Sequence, residues 1–270
     1  MQNKIVLITG STDGIGRQTA VELAIQGATV LVHGRDAARG KAVVEEIQSS
    51  TGNRNVDLFI ADFSSMEQVR KLAAEVCSRY DRLDVLLNNA GLFMNERTLT
   101  EDGFEMTYAV NHLAPFLLTN LLLDLLKKSA PARIITVSSQ AHTRGRIDFE
   151  NLQAEKNFSA YYAYALSKLA NVLFSNQLAR QLEGTGVTSN TLHPGIVGTK
   201  LLRTGFNIEG TSTADGAETL VYLASAPEAE GMTGRYFQDK TAVPSSPATY
   251  DVDLQQQLWT ISQKQTGLTS

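Results

Sequence analysis

The segment 161-YYAYALSKLANVLF-174 places tyrosines at 161, 162 and 164 ahead of a lysine at 168. An α-helix turns about 100° and rises about 1.5 Å per residue, so residues four apart share a face. Tyr164 and Lys168 meet that condition. Tyr162 points to another side, and Tyr161 lies about 10 Å from the lysine along the axis. An ordinary phenol titrates near 10, too high for easy proton exchange at neutral pH. A cation about 4–6 Å away stabilises the phenolate and lowers that value. The Tyr164–Lys168 pair therefore reads as a general acid or base for a carbonyl/alcohol couple, with hydride coming from a nicotinamide cofactor. The same spacing is common in plain surface pairs, so it needs partners.

Ser138 and Ser139, in 134-IITVSSQAH-142, stand just past a strand. Ligands of parallel sheets sit outside the carboxyl ends of the strands, where a serine hydroxyl can hold a substrate oxygen. His142 reads as a loop histidine without a catalytic role. The run 9-TGSTDGIG-16 joins the first strand to a helix. Gly10 supplies the freedom of a tight turn. Missing side chains at Gly14 and Gly16 let a pyrophosphate approach the free amides of the helix N-terminus. The spacing differs from G-x-G-x-x-G, yet the strand–turn–helix context points to a dinucleotide. The second strand ends in 31-LVHGRDAARG-40, where the adenosine ribose is expected. Asp36 reads as a helix N-cap. Arg35 reads as a guanidinium for a 2′-phosphate, favouring NADP(H) over NAD(H). The charge of Asp13 works against that preference.

These residues need a scaffold, and the rest of the chain supplies its pattern. Expected strands are 4–9, 29–34, 56–61, 84–89, 133–138 and 187–193. The first five are continuous apolar runs, as in parallel strands covered on both faces. Helical periodicity fills the intervals, as at Val69, Leu72, Ala73 and Val76. Alternating strands and helices imply right-handed crossovers and an α/β fold, a doubly wound parallel β-sheet flanked by helices. Segment 198–212 follows a strand, contains three glycines, and is expected to be a loop that moves as a lid. A short helix is expected near Asp251 or Asp253 after the loop that opens the tail.

At 270 residues, 43% hydrophobic and 19% charged, the chain suits one large domain. Its net charge of -4 has no long run of one sign, so no nucleic-acid partner is indicated. The single Cys77 excludes an internal disulfide, which suggests a reducing compartment, and it reads as a small packing residue. No signal peptide pattern opens the sequence, and 113-LAPFLLTNLLLDLLKK-128 reads as too short and too polar to span a bilayer. The expectation is a cytoplasmic protein with no membrane anchor. There is no G-x-S-x-G elbow for serine hydrolysis, and four scattered histidines give no zinc-ligand spacing.

The motifs together resemble the short-chain dehydrogenase/reductase family. T-G-x-x-x-G-x-G spans Thr9 to Gly16, N-N-A-G is 88-NNAG-91, and the helix asparagine is Asn111. The serine is Ser139, Y-x-x-x-K is Tyr164 with Lys168, and P-G opens 194-PGIVGT-199. SSQAH, SKLANVLF, LHPGIVGTKLLR and 234-GRYFQDK-240 resemble the branch of retinol dehydrogenases, WW-domain oxidoreductases and protochlorophyllide reductase relatives. The resemblance implies one NAD(P)-binding Rossmann domain over residues 1–270 and hydride transfer between nicotinamide and a carbonyl or alcohol. It implies Tyr164 as the proton donor or acceptor, and Lys168 lowering its pKa and gripping the nicotinamide ribose. Ser139 would position the substrate oxygen, and Asn111 would hold a relay water.

The cofactor residues it implies are Gly10, Ser11, Thr12, Asp13, Gly14, Ile15 and Gly16, then Arg35, Asp62 and Phe63. Asn89, Ala90 and Gly91 would form the floor, and Pro194, Gly195, Val197 and Thr199 would face the nicotinamide. The branch mainly prefers NADP(H). The expectation is a soluble relative without the anchor common among retinol dehydrogenases, and one cysteine argues against protochlorophyllide reduction. Phe93, Met94, Tyr161, Leu201, Leu202 and Phe206 are candidates for an apolar substrate pocket. A homo-oligomer is possible, since relatives often pair through helices near 113–127 and 161–180. Other readings are a non-catalytic NADP(H)-binding regulator, or epimerase, dehydratase or C=C reductase chemistry on the same scaffold.

Overall fold

The computed structural model describes residues 1–206 and 208–268. Six strands form at the expected positions: β1 (Ile5–Ile8), β2 (Thr29–Gly34), β3 (Val56–Ile60), β4 (Val85–Asn88), β5 (Ala132–Val137) and β6 (Val187–His193). Two more, β7 (Tyr236–Gln238) and β8 (Thr241–Val243), extend the sheet beyond the expected set. The order is β3-β2-β1-β4-β5-β6-β7-β8, parallel except for β8.

Side chains alternate between faces, yet both faces are apolar. Leu7, Leu31, Leu86 and Ile134 enter one core layer, with the helices α3 (Met66–Arg79), α5 (Ala114–Lys128) and α6 (Ala160–Gln181). Val6, Ile8, Val30, Val32 and Leu87 enter the other, with α1 (Gly14–Ile25), α2 (Ala37–Thr51) and α8 (Thr213–Ser225). Strand order reverses between β1 and β4, so a crevice opens at their carboxyl ends. The fold is a single-domain Rossmann α/β fold.

Helix ends follow the sequence chemistry. Asp36 caps α2, accepting from the Ala38 and Arg39 amides, and Asp251 caps α9 (Val252–Thr266). Three expectations need correction. Cys77 is exposed on α3 rather than packed. Segment 198–212 is not all loop: it holds α7 (Lys200–Phe206), and its base is closed where the Gly198 N–H donates to the Thr211 carbonyl and the Thr211 N–H to the Ile196 carbonyl. Residue 207 lies outside the described residues.

The third correction concerns the apolar helix. It runs 23 residues, Met106–Lys128, at mean hydropathy 1.4, long and apolar enough to cross a membrane by length and composition. In the structure 78% of that apolar stretch is buried inside the protein. It begins as α4 (Met106–Tyr108) and widens into a π-helical turn at Ala109–Leu113 before α5. His112, Phe116 and Phe174 pack with Trp259 of α9 over this region, the Phe116–Trp259 centroids 4.9 Å apart.

Candidate active site

The glycine turn follows β1 directly. Gly10 and Gly14 have φ of +64° and +56°, which favour glycine. A Cβ on Gly10 would stand 2.9 Å from the Ala90 Cα, and one on Gly16 would strike the Asn89 amide and the Gly10 carbonyl. Asn89 Nδ2 donates to the Thr9 and Gly10 carbonyls, bracing the turn from below. Asp13 caps α1, its carboxylate accepting from the Gly14 amide at 2.7 Å. Above Gly14, only the Thr199 side chain comes near.

Along the crevice, Arg35 is exposed and lies 4.0 Å from the Asp62 carboxylate. His33 stacks on Phe63 at 4.4 Å, accepts the Gly10 N–H on Nδ1 and bonds the Ala61 carbonyl through Nε2. Burial lowers its pKa to about 4, so the ring is neutral. One expected contact is corrected here. Ser11 is fully buried; its hydroxyl donates to the Ile8 carbonyl and accepts from the His33 amide. It ties β1 to β2 and does not face the groove.

At the other end, α6 starts at its Ser159 cap and carries Tyr164 and Lys168 on one face, as the spacing demands. The Lys168 Nζ lies 5.6 Å from the Tyr164 ring centroid and donates to the Val137 carbonyl at 3.1 Å. Ser139 begins the 3₁₀ turn Gln140–Arg144, its Oγ accepting from the Ala141 amide. Ser138 points inward and donates to the Lys168 carbonyl at 2.8 Å. Phe93 and Phe206 flank Tyr164 at 5.4 and 5.9 Å between centroids, and Tyr161 meets Phe206 edge-on at 6.1 Å.

The electrostatics correct a second expectation. Burial pushes the Tyr164 phenol up to about 12, with the Ser139 hydroxyl pulling down. Lys168 is itself driven down to about 8 by burial. The expected lowering of the phenol by the ammonium is not found: burial raises the phenol, Tyr161 adds to the rise, and only the Ser139 hydroxyl opposes it. Tyr164 is a protonated donor at neutral pH.

Asn111 occupies the π-turn and is fully buried. Its Oδ1 accepts from the Leu92 amide, and Nδ2 donates to the Leu92 carbonyl and to Ser167 Oγ. A Cβ on Gly91 would lie 3.3 Å from that Oδ1 and 3.4 Å from the Lys168 Nζ. Asn111 thus braces the floor beside the lysine, its side chain wholly engaged with protein.

One cavity of about 960 Å³ joins the two ends. Thr12, Asp13, Gly14, Ile15, Gly16, Arg35, Asp62, Phe63, Asn89, Ala90 and Gly91 line it with Gly10. Ser139, Tyr164, Lys168, Pro194, Gly195, Val197 and Thr199 line its other end, as do Phe93, Met94, Tyr161, Leu201, Leu202 and Phe206. Ser11 and Asn111 do not line it. Sequence reasoning missed His33, Leu92, Thr143, Arg144, His193, Ile196 and Ile208. His33, His193, Ile196 and Ile208 carried a signal, since they sit in segments already singled out. His193 lines the wall with Nδ1 unpartnered among the described residues.

The residues fit a dinucleotide. A turn without Cβ atoms at Gly10, Gly14 and Gly16 opens onto a long cavity, and a cation at Arg35 stands at its far edge. The volume lies near the top of the range of about 300–1,000 Å³ usual for ligand sites.

Comparison with known proteins agrees. Residues 4–207 match the family model for short chain dehydrogenase. The chain is 43% identical to mouse (Mus musculus) retinol dehydrogenase 14, over 99% of this chain and 87% of that protein. It is 40% identical to human (Homo sapiens) retinol dehydrogenase 13, over 98% and 85%. A crystal structure of a putative uncharacterized protein from Mycobacterium paratuberculosis superposes with TM-score 0.83 at 32% identity, covering 98% of this chain and 94% of that one. A short chain dehydrogenase from Escherichia coli CFT073 complexed with NADPH superposes with TM-score 0.74 at 28% identity, covering 89% and 98%. Taken with the tyrosine, lysine and serine gathered at the end of a dinucleotide-shaped groove, these matches place the chain in the short chain dehydrogenase family, as an NAD(P)-dependent oxidoreductase acting on alcohol or carbonyl groups.

Proposed function

We propose that the protein is an NADP(H)-preferring reductase of apolar aldehydes or ketones. Tyr164 donates the proton, Ser139 holds the substrate oxygen, Lys168 grips the nicotinamide ribose, and Asn111 fixes the floor that orients them. A bound nicotinamide supplies the hydride. The observation that carries the reading is the convergence of Ser139, Tyr164 and Lys168 on one wall of the cavity. A phenol held at about 12 is protonated at neutral pH and can donate its proton to a carbonyl oxygen. Phe93, Phe206 and Leu201 pack around Tyr164, supporting an apolar substrate.

Preference for the 2′-phosphate rests on Arg35, exposed at the adenosine end, and on the likeness to a neighbour complexed with NADPH. We assign the 198–212 segment the role of a lid hinged on its stapled base. The test is Tyr164→Phe, assayed by NADPH oxidation over an aldehyde and ketone panel, with cofactor binding measured by fluorescence. Turnover is expected to fall about 10³-fold while NADPH affinity holds. Undiminished turnover would remove Tyr164 from its role.

A further inference from the structure

We propose that His142 is a positioning residue for Ser139, locking the serine's peptide to the loop that precedes α9. The proposal rests on the reductase reading above. His142 is 2% exposed and lies three residues past the serine. The Ser246 backbone N–H donates to its Nε2 at 3.0 Å. An amide N–H has nothing to accept with, so Nε2 presents a lone pair. A neutral imidazole then carries its proton on Nδ1, which faces the Ser139 carbonyl at 2.7 Å. That carbonyl also accepts the His142 backbone N–H at 3.0 Å. One residue therefore grips the same oxygen twice, and the tautomer is dictated by the loop.

The neutral ring is favoured further by burial, which lowers its pKa. A second proton on Nε2 would face the Ser246 donor head-on. The Tyr236 ring, 4.6 Å from the imidazole, blocks rotation from the β7 side. Ser139 is extended, with φ -162° and ψ 158°. With its carbonyl pinned, displacement of the Ser139 backbone, which would carry Oγ away from Tyr164, is opposed. Ser139 Oγ accepts the Ala141 N–H at 3.2 Å, leaving its own proton to donate to a substrate oxygen.

The experiment is a double-mutant cycle with partial replacements. His142→Asn keeps an amide donor at the δ position beside Ser139 but falls short of Ser246. His142→Gln places its amide at the ε position and serves Ser246 instead. Steady-state kcat on an aliphatic or aromatic aldehyde with NADPH should fall tenfold or more, roughly, in His142→Ala and His142→Gln, and recover largely in His142→Asn. NADPH affinity should stay within about twofold throughout. In a Ser139→Ala background, His142→Ala should add no further loss. Multiplicative losses, equal behaviour of the Asn and Gln variants, or a parallel fall in NADPH affinity would each overturn the proposal. Should His142→Ala fail to fold, the Asn and Gln pair decides the question alone. Full activity of Ser139→Ala by itself would instead reject the active-site reading on which the proposal stands.

Discussion

The two ends of the groove are made of different material. At the nucleotide end, the wall is backbone: Gly10, Gly14 and Gly16 shape it, and Asn89, Ser11 and His33 brace it through main-chain atoms. At the substrate end, the wall is side chain: Phe93, Leu201 and Phe206 surround Tyr164. A backbone wall has one shape and tolerates no added carbon. A side-chain wall can be recut residue by residue. The first suits a ligand that never changes, the second a substrate that varies between relatives on one fold.

Lys168 stands where the two meet, and its variant should have the largest effect. A shift from 10.5 to about 8 amounts to about 3 kcal/mol of burial cost at neutral pH. Between those values the unfolded chain holds a proton that the folded chain has shed, so stability rises with pH across that window and is lowest below it. Lys168→Met should abolish turnover, raise stability by as much as about 3 kcal/mol at pH 7, and erase the climb above pH 8. Urea titrations at pH 7, 8.5 and 10 read this directly; an unchanged climb in the variant would assign it elsewhere.

Gly16→Ala should follow. Its new carbon meets the Asn89 amide and the Gly10 carbonyl, so the turn must shift. We expect about 1–3 kcal/mol of lost stability and roughly 100-fold weaker NADPH binding by calorimetry. Unaltered binding would mean that the nucleotide end is as pliable as the other. Arg35→Ala should leave NADH kinetics alone and cost about 10-fold or more in NADPH affinity, erasing the preference. A parent enzyme that prefers NADH would refute the assignment outright. Phe206→Ala, the mildest, should raise KM for apolar carbonyls about tenfold without touching NADPH affinity. Equal KM would show that α7 does not wall the substrate.

Much of this was legible because it is local. Five of the strands announce themselves as apolar runs, since a sheet covered on both faces needs them. Tyr164 and Lys168 share a face by helical arithmetic alone. What escaped depends on tertiary context. The β7–β8 hairpin turns on Asp239 and Lys240, both at positive φ (48° and 62°), without the glycine that marks such turns, and each strand has three residues. The π-turn holding Asn111 has no proline or glycine inside it. Ser11 belongs to the motif by position, yet its hydroxyl serves the sheet. Spacing reports a neighbouring charge but not the loss of water, and burial carries the Tyr164 phenol up to about 12.

The Ser246 contact gives the chain a temporal order. Translation proceeds from the amino end, so the cradle at residues 10–16 and its floor at 89–91 emerge long before the loop that steadies the serine. The last fifty residues line no part of the cradle; with β7, β8 and α9 they bring the Ser246 contact to His142. On the proposed role of His142, the contact that steadies the serine is therefore among the last to be synthesised.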